Sequence, residues 1–199
     1  MQLTKYTHAC VRLEHEGRVL VIDPGVWSEP RALAGADAVL VTHEHADHID
    51  VLRLRGLGVP VYAPADADLK HLDYTPVRAG EEFTAAGFGV RAVGGRHAFI
   101  YSGQPECANL AYLVDGAIYH PGDSLHVPDE KVETLLLPAH GGWMKLDEGI
   151  DFGRAVSATR SFAIHDAQLN DRGLGSVNAW FGETVEGYRY LAPGESVDL

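Results

Sequence analysis

The sequence predicts an α+β protein in which β-sheets pack on each other and helices cover them. Three observations lead to this prediction: many short strand-like runs, hairpin signals between several of them, and few helix-like segments. Strands and helices do not alternate strictly, so a purely parallel sheet is not expected. The 199 residues contain no repeat, low-complexity tract or linker-like run, so we expect one domain over residues 1–199.

The expected strands are short and mostly apolar. Ala38–Thr42 is a continuous apolar run, which is typical of a strand buried on both faces. Glu14–Gly17 and Asp115-Gly116 are hairpin signals, and the second is the strongest in the chain. The strand-like runs are Thr4–Leu13, Arg18–Ile22, Ala38–Thr42, Val59–Ala63, fragments within Val77–Gly95, Ala108–Val114, Ala117–His120, Thr134–Leu137, Ser161–Ile164, Tyr188–Leu191 and Ser196–Leu199.

The sequence predicts four helical segments. A short helix is expected directly after the histidine-rich stretch that ends at Asp50, and a second one begins near Asp66. The helical segments are Val51–Leu57, Asp66–Leu72, Asp147–Thr159 and Val177–Phe181.

Composition excludes several classes of function. With 28 acidic and 16 basic residues the net charge is −12, which disfavours binding to nucleic acid and to anionic membrane surfaces. No apolar run is long enough for a transmembrane helix, and the N-terminal residues do not resemble a signal peptide. The two cysteines, Cys10 and Cys107, are expected to be reduced, so we expect a cytoplasmic protein.

The 11 histidines include a cluster that has the spacing of a metal site. Thr42-His43-Glu44-His45-Ala46-Asp47-His48 begins where a buried strand ends, a common position for ligand sites. Alternate residues of an extended segment point the same way, so His43 and His45 can converge on one ion, with Asp47 and His48 close by. This nitrogen and oxygen set suits zinc and tolerates manganese or iron.

Three more ligand-type residues follow the ends of short apolar strands. His97 follows Val90–Val93, Asp123 follows Ala117–Tyr119, and His165 ends the run Ser161–Ile164. Side chains that leave strand ends in this way can share one site at the edge of a sheet. We therefore expect these residues to join the cluster at His43–His48.

This set of residues resembles the metallo-β-lactamase superfamily, whose HxHxDH motif His43–His48 matches letter for letter. The resemblance covers most of the chain, and it is closest to the L-ascorbate-6-phosphate lactonase and N-acylphosphatidylethanolamine phospholipase D group. It implies a four-layer αββα sandwich with metals at one edge of the sheets. By position it implies one ion on His43, His45 and His97, a second on Asp47, His48 and His165, and Asp123 between them.

The expected function is dinuclear metal-dependent hydrolysis of an ester-type bond in a small molecule, by a metal-bound hydroxide. A lactone, a phosphodiester and a carboxylic ester all fit, and two ions can attract an anionic substrate despite the acidic chain. The cofactor is expected to be two divalent ions, with zinc preferred over manganese or iron. The alternatives are an iron-dependent oxidoreductase or dioxygenase on the same fold, and a metal-binding protein without catalysis.

Roles in the reaction are expected for three residues. Asp123 would bridge the ions and Asp47 would steer the remaining proton of the hydroxide. His140 follows a buried strand and would donate a proton to the leaving group, although a surface-loop histidine is equally expected there. His8 is expected to be a buried structural histidine, or else an outer partner of a metal ligand.

Overall fold

The computed structural model describes all 199 residues, which form fourteen strands and three helices joined by turns and loops. The helices are α1 (Val51–Arg55), α2 (Leu146–Val156) and α3 (Asp171–Thr184), and a 3-10 helix spans Pro30–Leu33. The strands are β1 (Gln2–Lys5), β2 (Val11–His15), β3 (Arg18–Ile22), β4 (Ala38–Leu40), β5 (Val61–Pro64), β6 (Thr75–Val77), β7 (Glu82–Ala85), β8 (Phe88–Gly94), β9 (Leu110–Val114), β10 (Ile118–His120), β11 (Thr134–Pro138), β12 (Arg160–Ile164), β13 (Tyr188–Arg189) and β14 (Ser196–Asp198).

The strands form two mixed sheets of seven. The first sheet has the order β14-β1-β2-β3-β4-β5-β6, and the second has the order β13-β12-β11-β10-β9-β8-β7. Hairpins supply the antiparallel pairs, and the pairs β3–β4 and β11–β12 are parallel. Two of these hairpins turn at Glu16-Gly17 and Asp115-Gly116, where all four φ values are positive, as the tightest hairpin turns require.

Three apolar clusters define four layers. The central cluster lies between the sheets and takes alternate residues of most strands, such as Leu20 and Ile22 from β3 and Tyr112 from β9. The other face of β3 contributes Val19 and Val21 to an outer cluster with the 3-10 helix and α1. A second outer cluster packs α2 and α3 against the other sheet. The predicted αββα sandwich is confirmed, and none of its helices has the length and hydropathy of a membrane span.

The direction of the strands brings the predicted ligands together. β1, β3 and β4 run the same way in the first sheet, and β8, β10, β11 and β12 run the same way in the second. The segments that follow the carboxyl ends of these strands therefore emerge at one edge of each sheet. Each predicted ligand lies in such a segment, and α1 begins directly after the HxHxDH stretch, with the Asp50 side chain capping its N-terminus.

Two local predictions are wrong. The run Thr4–Leu13 is not one strand, because a turn over Tyr6–Cys10, closed by the Tyr6 N–H to Cys10 carbonyl bond of 2.8 Å, separates β1 from β2. Asp66–Leu72 contains turns and no helix. Leu69 and Leu72 are still buried in the outer cluster, but His71 has a φ of +74°, which a helix does not allow.

Gly25 offers a test of how the first sheet supports the HxHxDH segment. A Cβ at Gly25 would lie 1.8 Å from the backbone oxygen of Asp47, so even alanine requires the two segments to separate. We expect Gly25→Ala to destabilise the protein by about 1–3 kcal/mol, the usual cost of overpacking, in thermal unfolding. Gly175→Ala is the control, because Gly175 lies in α3 with nothing within 4 Å, and it should keep or raise the melting temperature.

Candidate metal centre

The predicted ligands converge in three overlapping groups. In each group, one possible ligand atom per residue lies within 4.8 Å of all the others. The groups are His43, His45 and His97; His43, His48 and Asp123; and His8, Asp47, His48 and His165. All seven residues that the sequence predicted as ligands are therefore together, and His8 joins them.

Asp123 lies at the centre of the groups. Its Oδ2 atom is 3.1 Å from Nε2 of His165, 3.3 Å from Nε2 of His97 and 4.0 Å from Nε2 of His43. Its Oδ1 atom is 3.0 Å from Nε2 of His48. The carboxylate thus has the position that a bridging ligand requires.

Buried Asp23 orients two of the imidazoles from behind. Its Oδ2 accepts hydrogen bonds of 2.7 Å from Nδ1 of His48 and from the Thr42 hydroxyl, and its Oδ1 accepts the Thr42 N–H. Because the Thr42 hydroxyl donates to Asp23, it accepts from Nδ1 of His43 at 3.0 Å. We therefore assign a proton to Nδ1 of both histidines, so that Nε2 of each ring faces the centre and is the atom that a cation would contact.

The same pattern holds in the second sheet. Nδ1 of His97 donates to the Ala98 carbonyl at 2.5 Å, and Nδ1 of His165 donates to the His140 carbonyl. The Nε2 atoms of both rings again face Asp123. His45 is half-buried and directs its Nδ1 to within 3.1 Å of Nε2 of His43.

Two buried atoms show that the centre suits a cation. Nε2 of His48 and Oδ1 of Asp123 lie 3.0 Å apart, and neither has a partner besides the other. Buried polar atoms normally have their hydrogen-bonding capacity filled, and one cation beside this pair would contact both atoms. Imidazole nitrogens and carboxylate oxygens form a donor set that divalent zinc, manganese and iron accept.

Burial and neighbouring charges set the protonation of the centre. Burial, reinforced by His48, holds the pKa of His43 well below its usual value, so its ring is neutral and free to ligate. Burial opposes ionisation of Asp123, but His48 and His165 lower its pKa well below the usual range. Burial also opposes charge on His48, but Asp123 and Asp23 raise its pKa well above the usual value. A cation must therefore displace a proton from His48.

His8 has the opposite tautomer. Its Nδ1 accepts the Ala167 N–H at 3.4 Å, so the ring proton is on Nε2, which donates to Oδ2 of Asp47 at 3.1 Å. Burial lowers the pKa of His8 to about 4, which keeps the ring neutral. Although burial opposes it, this hydrogen bond and the nearby His48 lower the pKa of Asp47 to about 2. His8 is thus an outer partner of Asp47.

The backbone of His8 is bound to the segment that carries His165. Its N–H donates to Oδ1 of Asp166 at 3.2 Å, and its carbonyl accepts the His165 N–H at 3.1 Å. Oδ2 of Asp166 pairs with Nζ of Lys5, which is fully buried, at 2.5 Å. These contacts join two segments that are distant in sequence, so sequence analysis did not find them.

Three residues near the centre have contacts that refine the predictions. The indole N–H of Trp143 donates to Oδ2 of Asp123 at 2.8 Å, a contact that the sequence did not indicate.

His120 donates from Nε2 to the Ala9 carbonyl at 2.9 Å, so it forms a hydrogen bond within the fold and is not part of the ligand groups. The His140 carbonyl orients His165, while its side chain lies outside these groups, and its predicted role as an acid stays a prediction.

Removal of the Asp23 carboxylate should weaken metal binding. Asp23→Ala leaves Nδ1 of His48 and the Thr42 N–H without their acceptor, so the lone pairs at the centre lose their fixed direction. Loss of such an outer partner typically lowers metal affinity by about 10- to 100-fold, which a zinc competition assay would measure. Asp37→Ala removes a carboxylate that accepts only the Val19 N–H, and it should leave the affinity unchanged.

Cation uptake should release protons at neutral pH. Burial opposes charge on His48, but Asp123 and Asp23 raise its pKa well above the usual value of histidine, so the cation-free protein holds this proton at neutral pH and must lose it to bind. Affinity should therefore rise with pH through the neutral range and fall in acid. Titration calorimetry with zinc in buffers of different ionisation enthalpy would count the protons. An affinity that stays constant from about pH 6 to pH 8 would contradict the assignment.

Comparison with known proteins places the chain in the β-lactamase superfamily. Residues 2–165 match the family described as "Beta-lactamase superfamily domain". The chain is 40% identical to protein Rv0786c of Mycobacterium tuberculosis over 179 residues, with 84% of each chain covered. It is 28% identical to the UPF0173 metal-dependent hydrolase of Dinoroseobacter shibae over 194 residues, with 81% of each chain covered.

Solved structures share the fold. Igni18, a metallo hydrolase from Ignicoccus hospitalis, superposes with a TM-score of 0.75 at 18% identity, over 98% of this chain and 97% of that one. CmlA, a diiron β-hydroxylase from Streptomyces venezuelae, has a TM-score of 0.74 at 14% identity, over all of this chain and 54% of its own. From the family match, the chain belongs to the β-lactamase superfamily, and the solved structures show that it has the metallo-β-lactamase fold.

Proposed function

We propose that the protein hydrolyses an ester-type bond of a small molecule with the help of two divalent cations. The observation that carries this proposal is the central position of Asp123: its Oδ2 lies 3.3 Å from Nε2 of His97 and 3.1 Å from Nε2 of His165, so the carboxylate is within reach of both groups of ligand atoms. A carboxylate shared in this way offsets the repulsion between two cations. A lactone, a carboxylic ester and a phosphodiester are all compatible with such a centre.

The ligand groups suggest how the cations would be distributed. His43, His45 and His97 would hold one, Asp47, His48 and His165 would hold the other, and Asp123 would contact both. We propose zinc as the native metal, with manganese or iron compatible with the same donors. Bound divalent cations would supply an activated water and polarise the bond that is cleaved.

The residues of the chain orient the reacting groups. Asp47 is 19% exposed, which makes it the solvent-facing carboxylate of the centre, and its low pKa keeps it ionised as an acceptor for a water proton. The His8 and Trp143 N–H groups hold the carboxylates of Asp47 and Asp123 in place. We propose that His140, half-buried in the loop beside His165, gives a proton to the leaving group.

Iron-dependent oxidation is the second candidate function. The same ligands accept iron, and the fold also occurs in the diiron enzyme CmlA. A protein that binds metal without catalysis is the third. Hydrolysis can be distinguished from oxidation by experiment, because hydrolysis needs neither oxygen nor a redox-active metal.

One preparation would separate the three functions. We expect protein purified without chelators to contain close to two equivalents of zinc or manganese per chain. We expect it to hydrolyse at least one of a lactone, a bis-aryl phosphodiester and an aryl ester, with a chromogenic lactam as a comparison. Iron with oxygen uptake would support oxidation instead. Full metal content with no turnover would favour binding without catalysis, and metal-free protein would contradict the proposed centre.

The bridging position of Asp123 predicts a large loss on substitution. Asp123→Ala should lower turnover by at least about 100-fold, because both cations would lose a shared ligand. It should also reduce the metal content. His15→Ala replaces an exposed histidine at the end of β2 and should leave both quantities unchanged. Equal losses in the two variants would remove the bridging assignment.

A further inference from the structure

We propose that the substrate carries an uncharged apolar group, and that exposed apolar side chains on two loops bind this group beside the metal centre. The Trp27 loop comprises residues 24–30 and the Tyr101 loop comprises residues 97–107. This inference rests on the proposed function, since it takes the bond that is cleaved to lie at the metal centre. It specifies the chemistry of the part of the substrate that lies beyond that bond.

Exposed apolar residues are concentrated in these loops. Eight large hydrophobic side chains of the protein are exposed, and five of them lie in the two loops. The five are Val26, Trp27, Phe99, Ile100 and Tyr101, with 42% to 64% of each residue accessible to solvent. Scattered exposed hydrophobic residues need no explanation, but a group of them at the edge that carries the active centre is typical of a binding site.

The Trp27 loop is held firmly although its side chains are exposed. The Val26 N–H donates to the Ala46 carbonyl at 2.8 Å, which ties the loop to the HxHxDH segment. The guanidinium of Arg53 donates to the carbonyls of Ser28 at 2.7 Å and Val26 at 3.3 Å. The Trp27 ring lies edge-on to the His8 ring, with 4.8 Å between their centroids. The indole is therefore fixed at the Asp47 side of the centre.

The Tyr101 loop leaves the centre beside Asp123. It begins at the ligand His97, and the Ala98 N–H donates to the Asp123 carbonyl at 2.9 Å. Ile100 covers Gly142, where a Cβ would lie 3.7 Å from Cγ2 of Ile100. Gly142 precedes Trp143, whose indole contacts Asp123. Apolar side chains thus border the centre near both Asp47 and Asp123.

The charges of these loops favour an uncharged group. Neither loop contains Lys or Arg, and neither does the segment 138–144 that carries Trp143. Their two acidic residues have partners elsewhere: Glu29 accepts from the N–H and hydroxyl of Thr7, and Glu106 pairs with Arg96. A phosphate or carboxylate placed here would lose water and gain no counter-ion. An alkyl or aryl group would gain contact with Trp27, Ile100 and their neighbours.

The test is a series of 4-nitrophenyl esters from butanoate to octanoate, hydrolysed by the metal-loaded protein. Each added methylene should raise kcat/KM by about threefold while it still contacts the loops. Trp27→Ala and Ile100→Ala should flatten this dependence. Trp180→Ala is the matched control, because Trp180 is an exposed tryptophan on α3, and it should preserve the dependence. Rates that do not depend on chain length, or a preference for a bis-aryl phosphodiester, would overturn the inference.

A binding measurement separates this inference from the proposed function. Hexyl 4-nitrophenyl ether has no bond for the protein to hydrolyse, and its binding to metal-free protein can be followed by titration calorimetry. We expect Trp27→Ala to weaken this binding at least fivefold and Trp180→Ala to leave it unchanged. If no ester is cleaved but the ether binds in this pattern, the proposed function fails and the apolar site stands. If the ether does not bind, or binds equally to all variants, the apolar site is overturned.

Discussion

The structure depends on one electrostatic constraint, the convergence of imidazole lone pairs on a buried carboxylate. Nδ1 of His43, His48, His97 and His165 is in each case held by an oxygen behind the ring, so every Nε2 faces inward. When every Nε2 is deprotonated, the inward lone pairs and the carboxylate oxygens repel one another. A cation relieves this repulsion, and in its absence the extra proton of His48, 3.0 Å from Oδ1 of Asp123, does so.

The two sheets bring these imidazole and carboxylate groups together. Each sheet provides several strands that run the same way, and the ligands occupy the segments that follow those strands. The apolar core between the sheets supplies rigidity, since it is formed by alternate residues from nearly every strand. The segments at the edge are therefore free to carry polar side chains that would be costly inside the sandwich. The loops that border the centre can vary in chemistry without disturbing this support.

Sequence reasoning predicted the layers, and it predicted that the seven proposed ligands would lie together, because both features leave local signals. Apolar runs such as Ala38–Thr42 identify strands, and the spacing of His43–His48 identifies a metal segment. It missed Asp23 and the orientation of His8, because their partners lie far away in the chain: His8 and Asp166 are 158 positions apart. Sequence reasoning also predicted a helix at Asp66–Leu72. The two buried leucines there have a spacing that also occurs in helices, but the backbone turns at His71.

The buried pair of Lys5 and Asp166 has a consequence for how the protein is made. The two residues are 161 positions apart, so their contact can form only after most of the chain has left the ribosome. His43, His45 and His97 all emerge well before that moment, whereas His165 emerges at the same time as Asp166. The candidate metal centre thus becomes complete in a fixed order during translation. His43, His45 and His97 can meet early, but the full set of possible ligands exists only once His165, in the last third of the protein, has been synthesised.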